Sequence, residues 1–297
     1  MTEKKNVVLD ASVLTSLMSC ERLTEFVYIQ NLQPITGKGN SLEIGSLLHK
    51  MLEVYYRTIR DGFSKQLAIG NGLIAGDQYI LEGEDGTGLK NTYADNTKHK
   101  NGSIDKIGYN YVKNTFEQYC DFYKNDFWVP LETEVVKGKV IYEDEEVRLL
   151  WKAKLDLIVD TNNGILPVDH KTMRQKRDTL SLNNQFMGQC ILMETRSVVI
   201  NKIGFQQSLK AEEKFTRHVM SYSASRLAEW LGIAAYYAKY YTSLAEGQYF
   251  PPRFSHCDKF FGCTFKRICE SDMNMREELL REYFVVGEPW TIANEEE

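Results

Sequence analysis

Apolar positions recur along the chain with two periods, and the changes between them mark out its elements. Val147, Leu149, Trp151, Ala153, Leu155, Leu157 and Val159 are all apolar, the alternation of a strand with one buried face. Thr161-Asn162-Asn163-Gly164 follows, a hairpin turn sequence because Asn and Gly accept positive φ. Ile165 to Lys171 then returns as a second strand. Pro167 lies inside it and cannot donate to a ladder, which predicts a bulge. Another strand is predicted near 133–142, joined to the first by the acidic Glu143–Glu146 turn.

Helical spacing takes over on both sides of this hairpin. Ser12 to Leu32 reads as an amphipathic helix carrying Cys20. After Pro34, Gly37 and Gly39, Asn40 starts a second helix, with Glu43 placed to close a capping box. Ile44, Leu48, Met51, Leu52, Tyr55 and Ile59 form its core face, while His49 shares a stripe with Gly45 and Glu53. Residues 61–102 are rich in Gly, Asp and Asn with weak periodicity, and Ile104 to Phe127 is helical again. The stretch 61–127 therefore reads as an insertion, partly mobile and then helical, outside the core. Further on come a helix near 180–195 with Gln185 and Gln189 on one face, strands near 198–206 and 215–221, and a long helix from Ser223 ended by Gly247. The tail from Phe250 to Glu270 has little regular pattern and contains Cys257, Cys263 and Cys269. With no internal repeat, 1–297 reads as a single α/β domain.

Composition sharpens this only in part. Hydrophobic residues at 43% and charged ones at 26% are ordinary for a globular protein. The opening MTEKKNVVLD lacks the apolar core of a signal peptide, and no apolar run approaches the ~18–20 residues that span a bilayer. A cytoplasmic chain without membrane contact is expected. Six cysteines in that setting point to metal ligation or buried thiols over disulfides. Cys120 and Cys190 read as small hydrophobes. A net charge of −5 argues against a protein that coats DNA. Lys171, Arg174, Lys176 and Arg177 nonetheless make a local basic strip, either a phosphate-contact surface or a solvated loop.

The candidate chemistry lies on the hairpin. If Asp160 pairs with Ile165, Asp156 falls opposite Asp169, with Lys171 on the same patch. A slip of two residues keeps the three together, and an odd slip separates them. Neighbouring carboxylates repel unless a cation intervenes. Oxygen ligands at this spacing suit Mg²⁺ or Mn²⁺, and an adjacent lysine can orient water or steady charge on a phosphate. The same trio is also compatible with a solvated face on which Lys171 neutralises an aspartate, and His49 with a structural role.

The ordered set Gly45-Ser46-Leu47-Leu48-His49 with Glu53, Lys154-Leu155-Asp156, Asp169-His170-Lys171-Thr172 and Gln185 resembles the RecB-like branch of the PD-(D/E)XK nuclease superfamily. Cys20 and the C-terminal cysteine trio resemble the iron–sulfur staple of the AddB and CRISPR-associated members. The resemblance implies a restriction-endonuclease-like core of helix, three antiparallel strands, helix and strand, with helical additions at both ends. It also implies that His49, Asp156, Asp169 and the His170 carbonyl hold Mg²⁺ or Mn²⁺, that Lys171 activates or positions the attacking water, and that Gln185 orients Lys171 or the scissile strand. Cys20, Cys257, Cys263 and Cys269 would bind a 4Fe–4S cluster, with structural Zn²⁺ as the alternative. The implied activity is a DNA exonuclease on single-stranded or resected ends, working beside recombination, CRISPR or phage replication proteins. A cluster-stapled DNA-binding or assembly subunit with dispensable hydrolysis and a structure-specific endonuclease are the alternatives. The chain departs from the pattern at Leu155 (often Pro), Ala153 (usually Gly), Gln189 (usually Tyr) and Glu21 (often Pro), and in the wide spacing of the cysteine trio. Phe254, Phe260, Phe261 and Phe265, with Lys266 and Arg267, suit either contacts to a single strand or core packing.

Overall fold

Residues 4–35, 40–82, 108–162, 164–173, 182–206, 209–258 and 262–287 are described by a computed structural model, the side chains of 40–42 excepted. Arg174, Lys176, Arg177, Phe260, Phe261, the stretch 83–107 and the Asn40 side of the capping box therefore lie outside the description.

The chain opens with β1 (Lys5–Leu9), which buries Val7 and Leu9. Two apolar contacts in five residues are too few for a periodicity, so the sequence hides this strand. Asp10 then caps α1 (Ala11–Ser19) by accepting from the Val13 amide at 2.7 Å. The helix expected over Ser12–Leu32 breaks at Cys20, which is extended at φ −166° and ψ 118°. Tertiary contacts hold the break. Glu21 is buried and takes hydrogen bonds from Arg253 Nε at 2.8 Å and Tyr240 Oη at 3.1 Å, while the Arg253 amide donates to Cys20 Sγ at 3.3 Å. Beyond it lie α2 (Glu21–Thr24), a π-helical turn at Glu25–Ile29 and β2 (Leu32–Pro34).

The predicted apolar face of α3 (Asn40–Arg60) is buried as expected from Ile44 to Tyr55. The next element differs from expectation. Lys65–Glu82 is a helix, α4, packed on α3 and on α5 (Tyr109–Phe122), and Ala68 joins their core. Its glycines mark close approach between helices. A Cβ on Gly72 would sit 2.5 Å from Phe116 Cζ, and one on Gly76 3.0 Å from Met51 Sδ.

Strands β3 (Val129–Glu143), β4 (Val147–Thr161) and β5 (Gly164–Met173) follow, then α6 (Asn184–Leu192), β6 (Ser197–Gly204), the short α7 (Ala211–Lys214) and β7 (Phe215–Ser221). Next come α8 (Ala224–Gly247), whose left-handed cap is Gln248 at φ 51°, α9 (Lys266–Glu270), α10 (Arg276–Tyr283) and β8 (Phe284–Val286). Among the described residues the main sheet runs β1-β4-β5-β6-β7, with β3 also paired to β4. β3 lies antiparallel along nearly all of β4, from Val129↔Asp160 to Glu143↔Arg148. The opposite edge of β4 is shared by β1, parallel over Val147–Trp151, and β5, antiparallel over Leu157–Thr161. Among the described residues no strand pairs with 152–156 on that edge. β5 leaves β4 after Val168 and runs parallel to β6 from Val168↔Val199 to Met173↔Gly204. The sheet thus forks beside Asp156.

The predicted register holds, with Asp160 opposite Ile165. No shift occurs along β4–β5, so the bulge expected at Pro167 is absent. Pro167 pairs with Ile158 one residue before β6 begins to pair, where one edge of the strand is open and a proline is tolerated. Helices cover both faces of the sheet. One core joins α3, α4 and α5 to Leu157, Val159 and Val168, and the other joins α1, α6 and α8 to Val147, Leu149 and Trp151. The seven alternating residues of β4 are all buried, but five of them divide between these two cores, while Ala153 and Leu155 cluster with Ile158. The change of side falls between Leu155 and Leu157, at Asp156. α6 presses directly on β4, since a Cβ on Gly188 would meet Trp151 Nε1 at 2.4 Å. At the C-terminal end β2 pairs with β8, over a third core of Phe26, Phe265, Ile268 and Phe284. No described helix is long and apolar enough to cross a membrane.

Candidate active site

The fork in the sheet brings the predicted residues together. Where β5 leaves β4, the backbone pairing ends and a side chain takes it over: the His170 amide donates to Asp156 Oδ2 at 2.8 Å. His49, arriving from α3, donates from Nε2 to the His170 carbonyl at 3.0 Å and turns Nδ1 toward Asp156 Oδ2, 3.6 Å away. Glu53, its stripe-mate, pairs instead with Lys50 and Arg57, each at 2.9 Å.

One step along β5, Asp169 is fully buried and bound to three side chains. Lys171 Nζ stands 2.8 Å from its Oδ2, Gln185 Nε2 donates to Oδ1 at 2.5 Å, and Gln189 Nε2 reaches Oδ1 at 3.4 Å. Lys171 Nζ also donates to Gln185 Oε1 at 3.0 Å, so Gln185 holds both members of the pair. Gln189, which shares a helix face with Gln185 and stands where Tyr is usual, thus adds a second amide to Asp169.

The electrostatics follow from burial and charge. Burial raises the Asp169 carboxyl above its ordinary value, with Asp156 adding to the shift and Lys171 opposing it. Burial also works against the Lys171 ammonium, but Asp169 outweighs it and leaves that group raised. The buried His170 ring is pushed down to about 3 by desolvation and stays neutral. That ring stacks on Tyr56 at 5.8 Å, and its Nδ1 meets Asn201 Nδ2 at 2.7 Å. Asn201 also donates to Tyr119 Oη at 2.8 Å, and Tyr119 meets Tyr56 Oη at 2.6 Å. Arg217 donates to both hydroxyls at 3.2 Å and to Asp126 Oδ2 at 2.6 Å. No sequence motif announces this network, because its members are scattered over α3, α5, β6, β7 and the segment before β3.

Sequence reasoning also missed Glu134. It comes from β3, with Oε1 4.0 Å from His49 Nδ1 and Oε2 3.3 Å from Lys154 Nζ. Burial, and then the neighbouring Asp156, push its carboxyl up to about 7. Among the described residues, His49, Glu134 and Asp156 form the one group whose ligand atoms all lie within 4.8 Å of one another. A donor set of carboxylates and an imidazole suits a divalent cation. Asp169 Oδ2 points the same way: it is buried and lacks a hydrogen bond of good geometry, its 2.8 Å approach to Lys171 being an ion contact. The residues fit a metal ion.

His49, Glu134, Asp156 and Gln185 line an open cleft of about 1230 Å³, walled by α3 and α4 and also lined by Lys50, Arg57, Lys152 and Lys154. Cys20, Cys257, Cys263 and Cys269 are free thiols, and Cys263 and Cys269 pack against the C-terminal core. Burial, then neighbouring cysteines, raise the thiols of Cys257 and Cys263.

A forked sheet, paired carboxylates with their lysine, and a facing histidine are the features of a metal-dependent nuclease. A family model for the PD-(D/E)XK nuclease superfamily matches residues 9–270, and the chain belongs to that superfamily. Among solved structures, a candidate exonuclease from Eubacterium rectale is 12% identical, over 84% of this chain and 86% of that one, with a TM-score of 0.49. SSO0001 is 19% identical, over 50% of this chain and 64% of that one, with a TM-score of 0.32. No curated protein matches the chain.

Proposed function

We propose that this chain is a Mg²⁺- or Mn²⁺-dependent DNA nuclease of the RecB-like kind, degrading single-stranded or resected DNA from its ends. The observation that carries the reading is the convergence of His49, Asp156, Asp169, Lys171 and Gln185 at the fork of β4. His49, Asp156, Asp169 and the His170 carbonyl would hold the ion. When bound, it supplies positive charge beside the phosphoryl oxygens and makes water a nucleophile at neutral pH.

The protein's own groups do the remaining work. Lys171 is fixed by its ion contact with Asp169 and its hydrogen bond to Gln185, so its ammonium is already oriented before substrate arrives. It positions the attacking water and steadies the negative charge that builds on the phosphate. Gln185 and Gln189 hold Asp169 from the opposite side, so the lysine stands against a fixed carboxylate. The His49 imidazole favours Mn²⁺ over Mg²⁺, since nitrogen ligands suit the softer ion. In the cleft, Lys50 and Arg57 would meet phosphates, and the exposed Phe63 and Ile74 would meet bases. Cys20, Cys257, Cys263 and Cys269 would hold a 4Fe–4S cluster that ties the N-terminal helices to the C-terminal tail.

Digestion of end-labelled linear and circular single strands tests the proposal. Mg²⁺ or Mn²⁺ is expected to release short products from the linear strand and to leave the circle intact, with no reaction in EDTA. Digestion unaffected by EDTA, or none with either metal, would contradict it. Cutting of the circle would make it an endonuclease. Iron and sulfide assays on the same preparation test the cluster, and zinc in their place would refute it.

A further inference from the structure

The long β3–β4 ladder lacks a pair beside the site. Thr133 pairs with Leu157 and Val135 with Leu155, yet Glu134 and Asp156 between them do not pair. Glu134 there adopts φ 49°, a left-handed conformation that side chains other than glycine seldom take. The distortion brings the Glu134 carboxylate beside His49 and Asp156. Because His49 Nε2 is engaged by the His170 carbonyl, its Nδ1 faces two carboxylates, Asp156 at 3.6 Å and Glu134 at 4.0 Å, neither at hydrogen-bond distance. Charge points the same way. Asp169 carries its own counter-charge in Lys171, and Glu134, although 3.3 Å from Lys154, adds a carboxylate beside Asp156 where a divalent ion would sit.

We propose that Glu134 is a metal-holding residue of this site, a carboxylate that β3 adds to His49 and Asp156. The inference rests on the metal-dependent reading of the site and extends it to a residue outside the ordered set of the sequence. The competing role is a plain ion pair with Lys154, 3.3 Å away. Such a pair across neighbouring strands forms readily from ordinary extended backbone, so it gives no reason for the left-handed residue.

Mn²⁺ titration calorimetry and thermal melts of the full chain, with Glu134→Gln, Glu134→Gly and Lys154→Met, test the assignment. Glu134→Gln is expected to weaken Mn²⁺ binding by about 10–100-fold, the scale of a lost support at a metal site. Glycine accepts this φ without strain. Glu134→Gly is therefore expected to melt, without metal, at or above the wild-type temperature, and to lose most of the rise that Mn²⁺ produces. Lys154→Met is expected to keep Mn²⁺ affinity. Wild-type Mn²⁺ binding by both Glu134 variants would overturn the proposal, as would a loss in Lys154→Met equal to that in Glu134→Gln. Glu134-dependent Mn²⁺ binding by a chain that digests nothing would leave this proposal standing and remove the nuclease reading. Metal-dependent digestion with Mn²⁺ binding indifferent to Glu134 would do the reverse.

Discussion

Lys171→Met is expected to lower phosphodiester cleavage by about 10³-fold, the scale of losing one positioned charge or proton-handling group. The same change should destabilise the chain more as pH rises. Among the described residues Lys171 is the one cation in contact with the fully buried Asp169, and without it two amides remain as partners. The sign follows from Asp169, whose folded carboxyl is already raised above 3.8. A group raised on folding contributes stability that is present below its unfolded value and lost as pH rises through its folded value. Removing Lys171 raises Asp169 further, so the gap between variant and wild type opens as pH rises through the raised wild-type value of Asp169 and widens until the variant's own carboxyl ionises. A buried charge left unpaired costs roughly 3–5 kcal/mol, and uptake of a proton softens that figure at low pH. Urea melts at pH 5 and pH 8, read beside digestion of a labelled strand, check both effects. Adding Asp169→Asn to Lys171→Met should restore most of the stability and none of the cleavage. A Lys171→Met chain that cleaves normally, or whose loss of stability is the same at both pH values, would show that the pair is not what holds this corner.

The second large effect lies behind the site, at Arg217. Its guanidinium is gripped between the rings of Tyr123 and Trp128, 3.6 and 3.4 Å from their centres, and its NH1 lies 2.6 Å from Asp126 Oδ2. Both charged side chains are mostly buried, at 14% and 17% exposure. Arg217→Met strands Asp126 and removes one donor each from Tyr56 and Tyr119, whose hydroxyls lead through Asn201 to the His170 ring. Breaking a buried pair from one side costs about 3–5 kcal/mol, which for a chain of this size lowers the melting temperature by roughly 5–8 °C. Arg217→Lys keeps the charge but loses the planar fork and the stacking, and should fall between the two. Calorimetric melts of the three proteins decide it. Arg217→Met within about 1 kcal/mol of wild type would mean that the network carries little weight.

Much of the site was legible because its residues sit on elements with strong local signals. The alternation from Val147 to Val159 and the Asn-Gly turn fixed a register that puts Asp156 beside Asp169 and Lys171. The apolar stripe of α3 fixed which side of that helix His49 could occupy. Where the reading failed, a tertiary contact had replaced a local rule. Gly72 and Gly76 look like loop residues, but they are the small side chains that let α4 lie close on α3 and α5. Cys20 sits in a helical pattern, yet the burial of Glu21 against Arg253 breaks the helix there. The face switch in β4 and the turned backbone of Glu134 need the third strand in place. A sequence read strand by strand has no means of showing them.

Crystals grown with Mn²⁺ and measured for anomalous scattering give the most direct test of the site. A strong manganese peak in contact with His49 and Asp156 at the fork of β4, lost in Asp156→Asn, is the predicted result. A manganese peak elsewhere, with the fork holding only water, would contradict the account.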